Sequence, residues 1–187
     1  MIAARLAGDR DGAISSRMSS LSALPPRRVL LLVLLASVAT IGAALLFEHV
    51  GGLAPCELCL YERWPWYGAI VIAAAALVSG SEGAARGGII VCGLVFAAGT
   101  ALAVYHVGVE QHWFPGPTAC TGGSSGAQTL EQLRAQLLGR QPVNCDEPAW
   151  TLFGVSLAGF NALASLAVTA FCTGAALRPA RRPGFAT

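Results

Sequence analysis

Apolar residues fall in four long runs along this chain, none with the alternation of a strand, and the polar residues collect between them. The first run extends from about Val29 to Phe47, the third from about Gly87 to Val107 and the fourth from about Trp150 to Ala176. Each approaches the roughly 20 residues that a helix rising 1.5 Å per residue needs to cross about 30 Å of hydrocarbon. The second run, Trp66 to Val78, is too short alone and is expected to extend back toward Leu60. That extension puts Tyr61, Glu62 and Arg63 at headgroup depth on its first turns, with Pro65 either kinking the helix or marking its true start. Small residues, among them Ala73 to Ala76, Ala97, Ala98, Gly99, Ala158 and Gly159, allow helices to approach closely. The pattern predicts an all-α membrane protein, a four-transmembrane-helix bundle, since only helices and closed barrels satisfy backbone polar groups in lipid.

Composition points the same way. Of 187 residues, 55% are hydrophobic and 12% charged, half the charge of an ordinary water-soluble domain. That excludes a disordered chain and argues against a soluble enzyme. A net charge of +2, with no basic cluster interleaved with aromatics, gives no reason to expect a nucleic-acid partner. The chain has no lysine, so arginine sets the orientation. Arg27, Arg28, Arg86, Arg178, Arg181 and Arg182 lie in the N-terminal tail, the second connection and the C-terminal tail, which are therefore expected in the cytoplasm. The first connection, about Glu48 to Arg63, and the third, about Gly108 to Ala149, are expected outside. Residues 1–24 read as a disordered cytoplasmic extension, with Met18 an alternative start; residues 25–178 form the membrane domain and 179–187 a cytoplasmic tail. Cleavage after the first run is not expected, because that run exceeds a signal peptide's apolar region and Pro55 suits neither processing site.

Of six cysteines, Cys92 and Cys172 fall inside spans, where a thiol acts as a small hydrophobe. The other four, Cys56, Cys59, Cys120 and Cys145, all fall on the side that arginine marks as external. In an oxidising envelope an even set points to disulfides, with three possible pairings. Cys56-Glu57-Leu58-Cys59 has the spacing of disulfides that open and close in catalysis; Cys120 and Cys145 enclose a long loop for which a structural bridge is equally plausible. Zinc binding is disfavoured, since a four-cysteine site usually has two close pairs. Cys59 sits near the start of helix two, where the backbone dipole favours a thiolate, and Arg63 follows one turn later; Glu57 and Glu62 oppose them. Arg63 reads as a functional residue beside a membrane-level dithiol rather than only an interfacial anchor, while Tyr61, Trp64, Trp66 and Tyr67 read first as an interfacial belt.

In the third connection, Pro115-Gly116-Pro117 and Gly122-Gly123-Ser124-Ser125-Gly126 flank Cys120 with flexible chain, which makes it accessible to another protein. From Thr129, a capping box with Gln132 and the leucines 130, 133, 137 and 138 predict a short amphipathic loop helix, lying on the bilayer or packed on the loop. His49, Glu110 and His112 mark span boundaries, and Asn161 reads as a bridge between helices. His106, near the external end of the third run, is expected to approach the level of Arg63 and help hold a polar ring substituent.

The run Phe47-Glu48-His49-Val50 through Pro55-Cys56-Glu57-Leu58-Cys59-Leu60-Tyr61-Glu62-Arg63, four spans and a second external cysteine pair resemble the DsbB family of bacterial inner-membrane disulfide bond formation proteins. The resemblance covers roughly residues 29–176, and its most specific part is the C-x-x-C followed by Tyr-Glu-Arg at the mouth of helix two. Glu57 and Pro65 depart from familiar members. The resemblance implies reoxidation of a periplasmic DsbA-like thioredoxin-fold protein, with two electrons passed to a membrane quinone, ubiquinone or menaquinone. By position it implies that Cys120 forms the mixed disulfide and Cys145 is its loop partner. Cys56 and Cys59 would then be reduced by exchange, through a transient Cys56 to Cys145 bond. Cys59, as thiolate, would face the quinone with Arg63 and His106 as further contacts. A partner near −120 mV is already a strong oxidant, so a terminal acceptor is required. The competing readings are a membrane scaffold with structural disulfides and a quinone-coupled enzyme of the vitamin K epoxide reductase type, whose C-x-x-C lies later in the chain.

Overall fold

A computed structural model describes residues 24–117, 130, 134 and 144–177. Cys120, nearly all of the expected loop helix, and both terminal extensions lie outside the described residues; Leu130 and Arg134 are helical and exposed. The structure is mostly helical. Helix α1 (Pro26–His49) opens on Pro26, whose fixed φ suits a first helical position. Two short pieces follow in place of the single extended second span: α2 (Glu57–Tyr61) and α3 (Trp64–Val78). Helix α4 (Glu82–Glu110) is capped by Ser81, whose hydroxyl accepts from the Ala84 N–H. A two-stranded antiparallel hairpin, β1 (Thr151–Leu152) and β2 (Val155–Ser156), then leads into α5 (Leu157–Ala176), capped by Ser156.

Among the described residues three helices, α1, α4 and α5, are long and apolar enough to cross a membrane, with mean hydropathies of 2.7, 2.2 and 1.5. At 15 residues α3 falls short of a crossing by its own length. The backward extension toward Leu60 is not one regular helix: the ladder is interrupted at Glu62 and Arg63, although both keep helical φ and ψ. Pro65 has no N–H to donate back to the preceding turn, so α3 restarts with proline in its first turn. The fourth run also starts later than Trp150. Phe153 and Gly154 both take positive φ, 52° and 80°, and turn the chain before α5 begins.

Helix α4 is the hub, packing on α1, α3 and α5. Leu30, Val33 and Ile41 of α1, Trp66, Ala69 and Ala73 of α3, Ile89, Cys92 and Phe96 of α4 and Cys172 of α5 form one core. Trp66 and Phe96 meet edge to face at 4.7 Å. Trp66 is therefore a core residue at 2% exposure, not part of an interfacial belt, whereas Trp64 stays exposed. Large apolar side chains such as Leu35, Val71, Leu94 and Leu163 point outward, as they do on helices that face lipid. Arg27 donates to the Leu77 carbonyl at 3.2 Å, tying the start of α1 to the end of α3.

Close approach is decisive at Gly99. A Cβ there would lie 2.8 Å from Pro65 Cγ, and the proline ring has no rotamer with which to retreat. Gly99→Val should therefore destabilise the bundle by about 1–3 kcal/mol, read as a lower midpoint of thermal unfolding in detergent.

Candidate redox site

The site is built where α2 meets the C-terminal end of α4 and the N-terminal end of α5. Cys56 is the N-cap of α2, and its Sγ accepts the Cys59 N–H at 3.2 Å. The cap thus turns the C-x-x-C spacing into contact: the Cys56 S–H donates to Cys59 Sγ across 2.9 Å. Cys56 is 4% exposed and shares a buried cluster with Leu58, Val109 and Cys145, which is wholly buried. Three of the four cysteines expected outside the membrane are thus gathered at one place, all as free thiols.

The two thiols of the pair are not equivalent. Cys59 is held down from an ordinary 9.0 to about 7, chiefly by the hydrogen bond from Cys56. His106 adds to this, while burial and Glu62 act against it. Cys56 is pushed up, chiefly by keeping its proton on that bond to Cys59 and then by burial. The first charge therefore appears on Cys59. Alkylation of the reduced protein by a small neutral reagent should rise with a midpoint near pH 7. The reduced fold should gain stability as pH climbs from about 7 toward 9, where the unfolded chain still binds the proton that Cys59 has lost.

Behind the pair lies a polar chain that joins three helices. His106 of α4 is 2% exposed; its Nε2 is 3.6 Å from Cys56 Sγ, and its Nδ1 is 2.7 Å from Glu62 Oε1. Asn161 of α5 donates to Glu62 Oε2 at 2.9 Å and accepts from Trp66 Nε1 at 2.8 Å. Glu62 sits in the two-residue gap between α2 and α3, where it is 6% exposed. Glu110, one turn beyond His106, accepts from the Ser156 hydroxyl and ties α4 to the cap of α5.

In front of the pair is a cavity of about 310 Å³ between α1, the loop before α2 and α5. Ile41, Phe47, Leu53 and Phe160 supply apolar wall; Cys59, Glu62, Arg63 and Asn161 are its polar points. Arg63 donates to Glu48 of α1 at 2.7 Å, both side chains largely sheltered. Cys59 and Arg63 thus meet at one cavity, as their spacing suggested. His106 does not line it and meets Cys56 instead.

The family model described as disulfide bond formation protein DsbB matches residues 26–175. The chain belongs to the DsbB family. A disulfide bond formation protein B from a Polaromonas species is 30% identical over 146 residues, covering 76% of this chain and 86% of the relative. Another, from Stutzerimonas stutzeri, is 28% identical over 158 residues, covering 82% and 96%. A protein of Rickettsia prowazekii named uncharacterized protein RP370 is also similar, at 28% over 147 residues. No solved structure matches the chain.

The donor atoms of Cys56, Cys59 and His106 in this DsbB-family chain lie within 4.8 Å of one another. Two thiolates on one tetrahedral zinc, at about 2.3 Å each, would stand about 3.8 Å apart. The 2.9 Å between these sulfurs suits a pair about to bond to each other better than one shared by an ion. Glu62 and Asn161 are the residues that sequence reasoning underused. The signal for Glu62 was a carboxylate adjoining an apolar run, a placement that is costly unless it serves a function.

Proposed function

We propose that this protein is an inner-membrane thiol:quinone oxidoreductase that reoxidises a periplasmic DsbA-like thioredoxin-fold protein and passes two electrons to ubiquinone or menaquinone. The observation that carries the reading is that one sulfur of an asymmetric dithiol opens on an apolar cavity while the other is buried against a third cysteine. In this reading the chain crosses the membrane four times, α3 making up its length with the segment before it. Both termini are cytoplasmic and both cysteine connections periplasmic, as the arginine distribution supports.

The cavity fits a quinone. Its apolar wall suits a ring and prenyl chain, and Arg63 and Asn161 offer donors to ring oxygens. When bound, the quinone supplies an acceptor for two electrons and two protons. Cys120 on its loop takes the thiol of the partner protein, and Cys145 is its disulfide partner. Exchange then passes through Cys145 to Cys56, its neighbour in the buried cluster. Cys59, the sulfur that ionises first and lines the cavity, is the electron donor. Arg63 is held in place by Glu48 so that its remaining guanidinium N–H groups stay at the cavity wall.

Anaerobic mixing of purified protein with a reduced thioredoxin-fold substrate and a short-chain ubiquinone tests the reading. One quinol per substrate disulfide is expected; substrate oxidation without quinol would defeat it. A scaffold with structural disulfides predicts neither product.

A further inference from the structure

Oxidising a dithiol with a quinone moves protons as well as electrons. Two S–H bonds break, one S–S bond forms, and two electrons and two protons end on the quinol. Cys59 opens on the cavity, but Cys56 is 4% exposed and does not line it, so its proton needs a route. The Cys56 S–H points at Cys59 Sγ across 2.9 Å, but that contact becomes the S–S bond and cannot also carry the proton away. Among the described residues, the other polar path from Cys56 to the cavity wall runs through His106. It runs from Cys56 Sγ to His106 Nε2 at 3.6 Å, through the ring, and from His106 Nδ1 to Glu62 Oε1 at 2.7 Å. Glu62 belongs to both the path and the cavity lining, and His106 belongs only to the path.

We infer that Glu62 is the proton donor to the quinone, reloaded from Cys56 through His106. This rests on the proposed quinone reductase activity and adds the proton branch to it. An imidazole suits the central place because Nε2 can accept the thiol proton while Nδ1 releases another, with no rotation of the ring. The Cys56 proton goes to Nε2, the Nδ1 proton to Glu62 Oε1, and the Glu62 proton to a ring oxygen. The proton already lost by Cys59 is made good by a second loading of Glu62 from water. When the disulfide is reduced again, Nε2 returns its proton to the Cys56 thiolate and Nδ1 is refilled from the Glu62 side, which restores the starting tautomer.

The neighbours are arranged to keep Glu62 on this path. Asn161 holds Oε2 at 2.9 Å and is itself fixed by Trp66, so the carboxyl cannot swing away from His106 without breaking both bonds. Glu110, the other carboxylate near His106, is engaged by Ser156 and does not line the cavity. Arg63, adjacent in sequence, is paired to Glu48 rather than to Glu62.

The test uses the full chain in lipid nanodiscs. Glu62→Gln keeps the shape and one acceptor but carries no proton. Single-turnover quinol formation from the pre-reduced protein should fall about 10²-fold, the usual weight of a positioned acid or base, with the KM for short-chain ubiquinone within about threefold of wild type. Thiol exchange with the reduced protein substrate, which does not need this path, should stay within about threefold. A readout free of quinone accompanies it: the infrared difference spectrum between disulfide and dithiol forms should contain a carboxyl band that Glu62→Gln removes and Glu110→Gln retains. Quinol formation within threefold of wild type, or an unchanged carboxyl band, overturns the inference. If wild-type protein makes no quinol, the activity itself fails, and the infrared band still decides whether Glu62 takes the thiol proton. If Glu62→Gln does not fold, Glu62→Asp replaces it, with about a tenfold loss and a displaced band expected; a wild-type rate and band would again overturn it.

Discussion

Cys59→Ser should stop quinol formation outright, a loss of about 10³-fold or more, while the helices stay packed. A hydroxyl at that position stays protonated through the pH range in which the thiol ionises near 7, and among the described residues no other sulfur lines the cavity. The loss has the scale expected when a nucleophile has no substitute nearby. Folding should survive, because the Cys56 cap that organises α2 accepts from the Cys59 backbone N–H, which serine retains. Stopped-flow quinol absorbance together with a far-ultraviolet dichroism melt reads both halves. A variant that still makes quinol at more than a hundredth of the wild-type rate would move the electron donor away from Cys59.

Cys145→Ser should divide the reaction in two. Steady-state oxidation of the protein substrate is expected to fall below detection, because Cys145 is packed with Cys56 and, in the proposed mechanism, carries exchange inward to it. Protein whose Cys56 and Cys59 have been reduced chemically beforehand should still deliver one quinol in a single turnover, within about threefold of wild type. Serine at a wholly buried site leaves a hydroxyl in the place of sulfur, so some stability is lost as well, about 1–3 kcal/mol if the hydroxyl finds no partner. Single-turnover quinol yield separates the two losses. Equal collapse of both half-reactions would mean that Cys145 only holds the cluster together.

The parts of the fold that rest on long apolar periodicity were readable in the sequence. Helices α1 and α4 start and stop close to the expected limits because nothing inside them competes with the helix. The break at Glu62 and Arg63 was not readable from hydropathy, since Leu60, Tyr61 and Trp64 continue an interfacial pattern and only the missing N–H of Pro65 decides the restart. The hairpin before α5 was hidden in the same way, inside a run with no charge. At the site, C-x-x-C spacing announced the thiol pair because its contact is local, three residues along one helical turn. The partnership of His106, Glu62 and Asn161 joins residues 44 and 99 positions apart, and no periodicity carries such a relation. Trp66 was misplaced for the same reason: its indole N–H looks interfacial until its partner on α5 is known.

The burial of Cys92 and Cys172 in the helix core has a practical side. Two of this molecule's sulfhydryls sit beyond the reach of polar reagents for as long as the bundle holds together, while Cys56, Cys59 and Cys145 gather at one place elsewhere. Every intact molecule therefore conceals the same pair, and their emergence marks the loss of native packing. The protein contains its own gauge of integrity, independent of whether any of its redox partners is present.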